Sequence, residues 1–472
     1  MNVQRWTLTV VAAATAMLML DIAVVNTALS RIAEDLGTGL AGLQWVVDAY
    51  VLALASTVLT AGALADRLGR RRVFAVGMAI FTLASGASAL ATNITMLNTA
   101  RAVQGIGAAI LFAVSLALLA HAYPGRRERS KALAVYGATI GASFAVGPLV
   151  GGALTTGFGW QAVFLINIPI GIFSLYVTLT KVEESRDPNA RKIDWPGQAT
   201  LAPALFLLVL ALLRGNEDGW TSTLILAELG TAVALLVAFL TIESRSREPM
   251  LPLGLFRIRA FTGAQIGAFA ISGSLFAVYL YLTIYLQNVL GLSAVEAGLV
   301  YLPGTIATFV VSGATASLLE RVSPGLLVSL GLALVAIGMS LVLLVSADSS
   351  WTAILPGTMI AMIGTGMFNP AIIAVALGTV SEDKSGLAAG VNDTFRQAGI
   401  AVGVAALGAL IPAGAAFGPG GGPAYVAGLH DAMLAGAGLA AVGAVATAFL
   451  IGVRRSGTSD AEVPASAAPQ PA

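Results

Sequence analysis

The chain has 472 residues, of which 57% are hydrophobic and only 10% carry a charge. About a quarter of the residues of soluble proteins are charged, so this composition indicates a protein that crosses a membrane many times. There is no cysteine and there are only two histidines, which excludes disulfides and thiol chemistry and gives no expectation of a metal site. The net charge of +1 predicts no nucleic-acid partner.

Fourteen apolar segments follow one another along the sequence, each of a length that can cross a bilayer. They are predicted at residues 7–29, 44–63, 73–92, 97–119, 132–154, 161–180, 196–214, 222–242, 261–283, 296–318, 325–345, 352–378, 386–411 and 431–452. The first carries Asp21 and lacks the small-residue signature of a cleaved leader, so we expect it to be retained as a span. Of the 25 lysines and arginines, 21 fall in loops on one side of the predicted membrane and only two in loops on the other. By the positive-inside rule, both termini are expected in the cytoplasm.

More polar segments divide these spans into groups. We predict five parts: a first six-helix bundle over residues 1–180, a charged cytoplasmic linker over 181–195, two inserted transmembrane helices over 196–242, a second six-helix bundle over 243–452 and a disordered cytoplasmic tail over 453–472. A short internal echo agrees with this division, since ALADR at 63–67 follows the second span and SLLER at 317–321 follows the tenth. Such an echo is expected if six-span halves are repeated with two spans inserted between them.

The most informative polar segment is GALADRLGRRRVF at residues 62–74, which we call the arginine turn. Its acid, Asp66, and its four arginines cannot lie in hydrocarbon, so the chain must leave the bilayer here and turn back. Gly62 and Gly69 permit a tight turn and a close approach of helices. An acid followed by basic residues can form pairs in one conformation and break them in another, which would make the turn a conformational latch. The alternative is a cytoplasmic loop whose arginines only fix its side of the membrane.

Two ionisable side chains, Asp21 and Arg101, fall well inside the first and fourth predicted spans. Counted along a helix, both lie in the outer half of the bilayer. Buried charges are costly unless they are paired, neutralised or hydrated. Asp21 could therefore exchange a proton as its distance from Arg101 changes, or the two could form a fixed ion pair that holds the helices together. Asp48 and Glu228 lie nearer to span ends, where hydration at the membrane surface is the favoured interpretation.

The thirteenth predicted span opens with GLAAGVNDTFRQAG at 386–399. On a helix, Asn392, Asp393 and Arg396 lie on one polar stripe near the middle of the membrane. Asp393 is a candidate for a second proton-linked acid or for a contact with a cationic substrate. The alternative is a local pair of Asp393 with Arg396 that only neutralises itself.

The fifth predicted span contains the glycine-rich run GASFAVGPLVGG at 141–152. Glycines remove side chains from one helix face so that another helix can come close, and a proline kinks the helix. A smooth, kinked helix suits a moving seam between two halves, although tight static packing would use the same residues. The candidate hinge residues are Gly141, Gly147, Pro148, Gly151 and Gly152.

These motifs, together with LDIAVVNTAL at 20–29, RAVQGIGAA at 101–109 and FLINIPIG at 164–171, resemble the major facilitator superfamily. Within it they are similar to the fourteen-spanner drug:proton antiporters, which include quaternary-ammonium exporters and methylenomycin-type self-resistance pumps. The resemblance covers most of the chain. It implies an all-α polytopic membrane protein with the major facilitator fold, in which two inserted helices accompany two pseudo-symmetric six-helix bundles, giving 14 transmembrane helices.

The resemblance also implies roles for single residues. Asp66 and Arg70 match the family's loop latch, and Arg101 matches the fourth-span arginine tied to proton transfer. Asp21 matches the first-span acid. Asp393 lies in the span where some exporters of multiply charged drugs carry an acid.

One motif implies the direction of transport, and three positions depart from the family pattern. Gly147 with Pro148 matches an element associated with exporters rather than importers. Ser30 stands where the family usually has proline, Ser143 where a glycine is usual, and Ala23 where threonine is common. The local geometry of these helices is therefore expected to differ from the family pattern.

We therefore expect a secondary active transporter of the cytoplasmic membrane, not an enzyme, that exports lipophilic or cationic small molecules as a monomer. Protons would drive it without a cofactor, because the sequence has no GxxxxGK[ST] loop for ATP. The candidate substrate-binding residues are Asn26, Gln104, Phe269, Phe276, Tyr279, Asn392 and Arg396. The alternatives are a proton-coupled importer and an exporter of one metabolite or of the cell's own product.

Overall fold

The computed structural model describes residues 3–187, 193–380, 385–412, 414–417 and 421–452. Within these ranges the chain is helical and contains no β-strand. In chain order the long helices are α1 (Val3–Leu36), α2 (Leu40–Leu68), α3 (Arg70–Ala89), α4 (Ile94–Ala122), α5 (Arg126–Phe158), α6 (Ala162–Lys181), α7 (Trp195–Asp218), α8 (Thr223–Arg245), α9 (Arg259–Val289), α10 (Ala294–Leu318), α11 (Pro324–Val342), α12 (Trp351–Gly378), α13 (Ser385–Gly408) and α14 (Gly422–Ile451).

The helices agree with the predicted spans in number and order. Thirteen of the described helices are long and apolar enough to cross a membrane, and α13 occupies the position of the remaining predicted span. The helix α13 is less apolar because it carries the polar stripe around Asp393. Most helices are longer than the predicted spans, since a helix can continue beyond the apolar layer into its polar ends. The prediction of an all-α polytopic fold is confirmed.

The helices pack in three groups. Within the first six, α4 lies between α2 and α3, and α1 packs on α5; within the last six, α11 contacts α12 and α14, and α9 contacts α13 and α14. Between them, α7 and α8 pack on each other, and α7 also touches α2 and α13. The predicted part boundaries stay a prediction. Residues 188–192 of the predicted linker and the predicted tail from 453 onward lie outside the described residues.

Two ends of the helix assembly serve below as reference points. The linker end is where α2 meets α3 and where α6 ends, and the positive-inside rule predicts that it faces the cytoplasm. The opposite end is where α1 meets α2 and α9 meets α10.

The two halves meet along α5 with α10 and along α2 with α13. Glycines allow α5 and α10 to touch near the opposite end: a Cβ added at Gly152 would lie 2.7 Å from the Cα of Val295, and one at Gly298 would meet the backbone of Pro148. Nearer the linker end, a Cβ added at Gly137 or Gly313 would meet nothing within 4 Å. The α5–α10 seam is therefore in close contact at the opposite end, whereas the glycines nearest the linker end touch no neighbouring helix.

The first helix of the second half, α9, is irregular. It contains two π-helical turns, Ser272–Phe276 and Tyr285–Val289, which interrupt its α-helical hydrogen bonding. Such turns insert an extra residue into the helix and are frequent at functional sites. A further glycine contact lies beside the first turn, where Gly403 of α13 packs against the backbone of Gly273.

Candidate functional site

A buried set of charged and polar side chains lies inside the first half. Arg101 Nη1 donates to Asp21 Oδ2 at 2.5 Å and to Gln104 Oε1 at 2.7 Å. Gln104 Nε2 donates to Asp21 Oδ1 at 2.8 Å, and Asn167 Nδ2 donates to the same oxygen at 3.0 Å. Both amides also donate to Ser85 Oγ, at 2.8 and 3.2 Å. These five residues, hereafter the charged cluster, join α1, α3, α4 and α6.

The arginine of the charged cluster is held on every side. Its Nε donates to the carbonyl of Val46 in α2 at 3.0 Å. Its guanidinium carbon lies 4.3 Å from the ring centroid of Tyr50 and 5.7 Å from that of Phe164, both cation–π distances. Arg101 is 2% exposed and Asp21 0%. In this conformation the acid is fully paired and has no exposed surface.

The structure brings Asp21 and Arg101 together as the sequence suggested, but most of their partners were not found from the sequence. Ser85 and Asn167 are uncharged, and each alone looks like any polar residue on a helix. The one available signal was FLINIPIG, which contains Asn167 and interrupts α6 at Ile166. Gln104 was predicted to bind substrate, and the structure instead places it in the charged cluster with no exposed surface.

A second buried acid, Asp48 of α2, lies near the opposite end. Its side chain is 0% exposed, and neither carboxylate oxygen has a hydrogen-bond partner among the described residues. Beside it, Gln44 Nε2 donates to Tyr281 Oη at 2.8 Å, and Tyr281 donates to the carbonyl of Val404. The interpretation of Asp48 as a hydrated acid is therefore wrong, because α9 and α13 of the other half cover it. Glu228 is also largely buried and lies 3.2 Å from Arg214.

The polar stripe of α13 faces the space between the halves. The guanidinium carbon of Arg396 lies 5.9 Å from the ring centroid of Phe276 in α9, which in turn stands edge-on to Phe144 of α5 at 5.9 Å. Asp393 is half-buried, and the described residues contain no ion pair between it and Arg396 within 4.0 Å. Asn392 points elsewhere and donates to Gln265 Oε1 at 3.2 Å.

The remaining predicted substrate-binding residues are scattered. Asn26 donates to the carbonyl of Ile22 in its own helix at 3.0 Å. Tyr279 packs against Tyr301 with ring centroids 4.3 Å apart, and its hydroxyl has no partner among the described residues. Phe269 is half-buried where α13 crosses, since a Cβ added at Gly399 would lie 2.6 Å from its carbonyl oxygen. Of the predicted set, Phe276 and Arg396 are close to each other.

The arginine turn is built as an ion-paired corner. Arg70 donates to Asp66 Oδ1 through Nε at 3.0 Å and through Nη2 at 2.8 Å. Gly69 forms the corner with φ of 112°, and a Cβ there would lie 2.7 Å from the carboxylate of Glu184. Gly62 lies inside α2 and is therefore not part of the turn. A Cβ added at Gly62 would lie 3.9 Å from the Cβ of Ala113 in α4.

The segment after α6 fastens this corner. The backbone N–H of Arg70 donates to the carbonyl of Ser185 at 2.9 Å, and that of Asp187 donates to the carbonyl of Asp66 at 3.1 Å. Glu184 accepts from the backbone N–H of Arg71 at 3.0 Å. The predicted latch residues Asp66 and Arg70 thus pair locally, and the start of the linker is bound to them.

Comparison with known proteins gives one family. The model of the Major Facilitator Superfamily matches residues 11–404. The multidrug resistance protein Stp of Mycobacterium tuberculosis is 35% identical over 397 residues, covering 84% of this chain and 74% of Stp. The methylenomycin A resistance protein of Streptomyces coelicolor is 34% identical over 404 residues, covering 86% and 85%.

A solved structure shares the fold at low sequence identity. The peptide transporter POT, crystallised with sulfate, aligns over 94% of each chain with a TM-score of 0.66 and 17% identity. The all-helical architecture, the paired acid and arginine of the charged cluster, and these matches lead to one conclusion. The chain belongs to the major facilitator superfamily of membrane transporters and is not an enzyme.

Proposed function

We propose that the protein exports lipophilic or cationic small molecules in exchange for protons, by alternating access. The observation that carries the proposal is the charged cluster: a fully buried acid paired with an arginine has the composition of a proton-exchange site, because separating the pair changes which form of the acid is stable. The relatives named for multidrug and methylenomycin A resistance support export of drugs or antibiotics.

The closed opposite end supports alternating access. There, Gln287 Nε2 of α9 donates to the carbonyl of Thr27 in α1 at 3.0 Å, and the α5–α10 seam is in contact at Gly152 and Gly298. Nearer the linker end, a Cβ added at Gly137 of α5 or at Gly313 of α10 would meet nothing within 4 Å. This arrangement fits a state that accepts substrate from the cytoplasm, and rocking of the halves would close the linker end and open the other.

The substrate would lie between the halves, against Phe144, Phe276 and the polar stripe of α13. Aromatic rings supply apolar area for a lipophilic compound. Asp393 supplies a carboxylate that forms no ion pair with Arg396 within 4.0 Å. A cationic compound would be attracted to Asp393, while Arg396 would disfavour a positive charge placed over Phe276. This pocket therefore favours compounds with one charged and one apolar end.

Asp21 would take up a proton only after the helices move. In the state described here Arg101, Gln104 and Asn167 all donate to its carboxylate, which has no exposed surface. As the opposite end opens, a shift of α1 relative to α4 within the first half would weaken these bonds and allow a proton to enter from outside as substrate leaves. Return to the present state would expel that proton towards the cytoplasm.

Cellular placement follows from the same proposal. The protein would lie in the cytoplasmic membrane with both termini in the cytoplasm and would act as a monomer. A membrane potential of 100 mV gives roughly 2.3 kcal/mol per charge moved, enough for about 50-fold accumulation. No cofactor is needed for this cycle.

The test uses proteoliposomes with an imposed pH gradient and an internal pH dye. We expect lipophilic cations or neutral antibiotics to trigger proton movement in the wild type. Asp21→Asn should abolish that movement, while downhill exchange of labelled substrate per folded molecule continues, because the variant keeps the pocket between the halves and loses the proton-exchanging carboxyl group. The matched control is Glu34→Gln, which removes an acid of α1 that forms an exposed pair with Arg31.

Two results would contradict the proposal. Unchanged drug-triggered proton movement in Asp21→Asn would remove Asp21 from coupling. Uptake of a polar solute driven by the same gradient, without any response to drugs, would favour the proton-coupled importer instead.

A further inference from the structure

A cavity of about 400 Å³ opens at the linker end of the first half. It lies between the end of α2, the start of α3, the middle of α4 and the segment after α6. Its lining residues are Leu64, Arg67, Leu68, Arg72, Val73, Val76, Ile110 and Arg186. We call it the arginine pocket. Nothing in the proposed transport cycle uses it.

The charge of the arginine pocket is strongly positive. No acid is among its lining residues within the described part of the chain. Arg72 lies 3.6 Å from Glu184, a loose pair in which the arginine side chain is 65% exposed. Among the residues that the structure describes, Arg67 and Arg186 have no ion pair within 4.0 Å. Two arginines are therefore free to bind an anion, and a third is only weakly engaged.

The other wall of the arginine pocket is apolar and continues along the membrane-facing surface. Leu68 and Val76 are each 54% exposed. On α3, Leu83 is exposed two turns from Val76 towards the opposite end. On α4, Ile106 and Val103 are exposed one and two turns from Ile110, also towards the opposite end. A ligand with a long apolar chain could lie along this strip while its charged group stays among the arginines.

An anionic group joined to an apolar chain, at the level where membrane helices end, is the chemistry of an acidic phospholipid. We propose that the arginine pocket binds the phosphate of an acidic phospholipid from the leaflet at the linker end, with an acyl chain along α3 and α4. Basic pockets between transmembrane helices at the cytoplasmic side bind such headgroups by charge. A free phosphate would use the arginines and leave the apolar strip without a role.

Binding would have a structural consequence. Arg67 lies in the last turn of α2, Arg72 lies in the first turn of α3 and Arg186 follows α6, so one phosphate would connect three segments. The same segments already meet through the backbone bonds of Ser185 and Asp187 at the arginine turn. The lipid would therefore hold the start of the linker against the arginine turn.

The test measures lipid binding to the purified, delipidated full chain by native mass spectrometry, with phosphatidylglycerol and phosphatidylcholine in parallel. The variant is the pair Arg67→Gln and Arg186→Gln; the matched control is Arg257→Gln with Arg321→Gln, which removes the same charge from exposed positions at the same end. We expect wild type to prefer phosphatidylglycerol. The first pair should weaken its binding about 30-fold, because two positive charges beside the phosphate are removed. The control pair should bind as wild type does.

Melting temperatures without lipid should be equal for all three proteins, which separates a lost site from a lost fold. Equal weakening by both pairs would overturn the proposal, since it would mean general attraction to the charged face. Equal affinity for the two lipids would also overturn it. If millimolar inorganic phosphate displaced phosphatidylglycerol completely, the pocket would be a soluble-anion site and not a lipid site.

Discussion

The two six-helix halves bury their polar groups differently. The first half encloses the charged cluster, in which the ion pair of Asp21 and Arg101 is hydrogen-bonded to two amides that also donate to a hydroxyl. In the second half the buried polar contacts are neutral, whereas its charges Asp393 and Arg396 are only half-buried: Asn392 donates to Gln265 at 3.2 Å, and the hydroxyls of Ser329 and Thr447 lie 3.1 Å apart. Moving a neutral hydrogen bond costs far less than separating a buried ion pair. The first half is thus suited to respond to protonation, and the second, with its two π-helical turns, to change shape.

The largest effect should come from removing one charge of the first half. Arg101→Met leaves the carboxylate of Asp21 buried without its cation, and breaking a buried pair in this way costs about 3–5 kcal/mol. We expect a strongly lowered melting temperature and no proton-coupled transport. The matched control is Arg31→Met, whose exposed pair with Glu34 is worth about 1 kcal/mol or less. Equal losses in the two variants would show that burial of the pair does not matter.

A smaller effect is expected where the halves meet. Gly298→Ala places a methyl group against the backbone of Pro148, and overpacking of this kind costs about 1–3 kcal/mol. Because the clash exists only when the opposite end is closed, we expect distances between spectroscopic labels placed across that end to lengthen. Gly313→Ala, in the same helix with open space around it, should leave those distances unchanged. Unaltered distances in both variants would mean that the seam is not a switch.

The neutral pair of the second half should matter less than the charged cluster. Asn392→Leu leaves Gln265 Oε1 without its donor, at a cost of about 1–3 kcal/mol for a buried group. Gln265→Leu together with Asn392→Leu removes both partners and should recover part of that loss. Thermal unfolding of both single variants and the double variant gives the interaction free energy between Asn392 and Gln265. A loss as large as that of Arg101→Met would contradict the contrast between the halves.

The smallest effect is expected for the unpartnered acid. Asp48 has no donor among the described residues, so Asp48→Asn keeps the shape of the side chain and removes no hydrogen bond that the structure describes. Stability should change by less than about 1 kcal/mol. Asp21→Asn, by contrast, should destabilise, because it removes the charged acceptor of Arg101. Thermal unfolding of the two variants makes the comparison, and a large loss of stability in Asp48→Asn would contradict the absence of a partner for this carboxyl group.

The sequence predicted those features that follow from the membrane itself. Long apolar runs must be helices there, and the paired positions of Asp21 and Arg101 follow from the cost of isolated charges. Asn167 and Ser85 could not be found, because an uncharged polar residue on a helix is compatible with many surroundings. Their selection depends on how α3 packs on α4 and how α6 packs on α1 and α3, which no local pattern encodes.

The predictions for Asp48 and Gly62 were wrong for related reasons. Depth along α2 suggested that Asp48 reaches water, but helices of the other half cover that end of α2. Gly62 was assigned to the turn because glycine is common in turns, whereas the helix runs on to Leu68 and only Gly69 takes a positive φ there. In both cases the local sequence was compatible with more than one structure, and contacts between residues far apart in the sequence decided which structure formed.

The complete burial of Asp21 has a consequence for the energy balance of the cell. As the proposed coupling acid, it has no exposed surface in this conformation, and its oxygens are occupied by Arg101, Gln104 and Asn167. Because the carboxylate has no exposed surface, a water chain cannot reach it to deliver a proton. Between transport events such a protein would not let protons leak across the membrane. A cell could therefore hold many idle copies without losing its proton gradient.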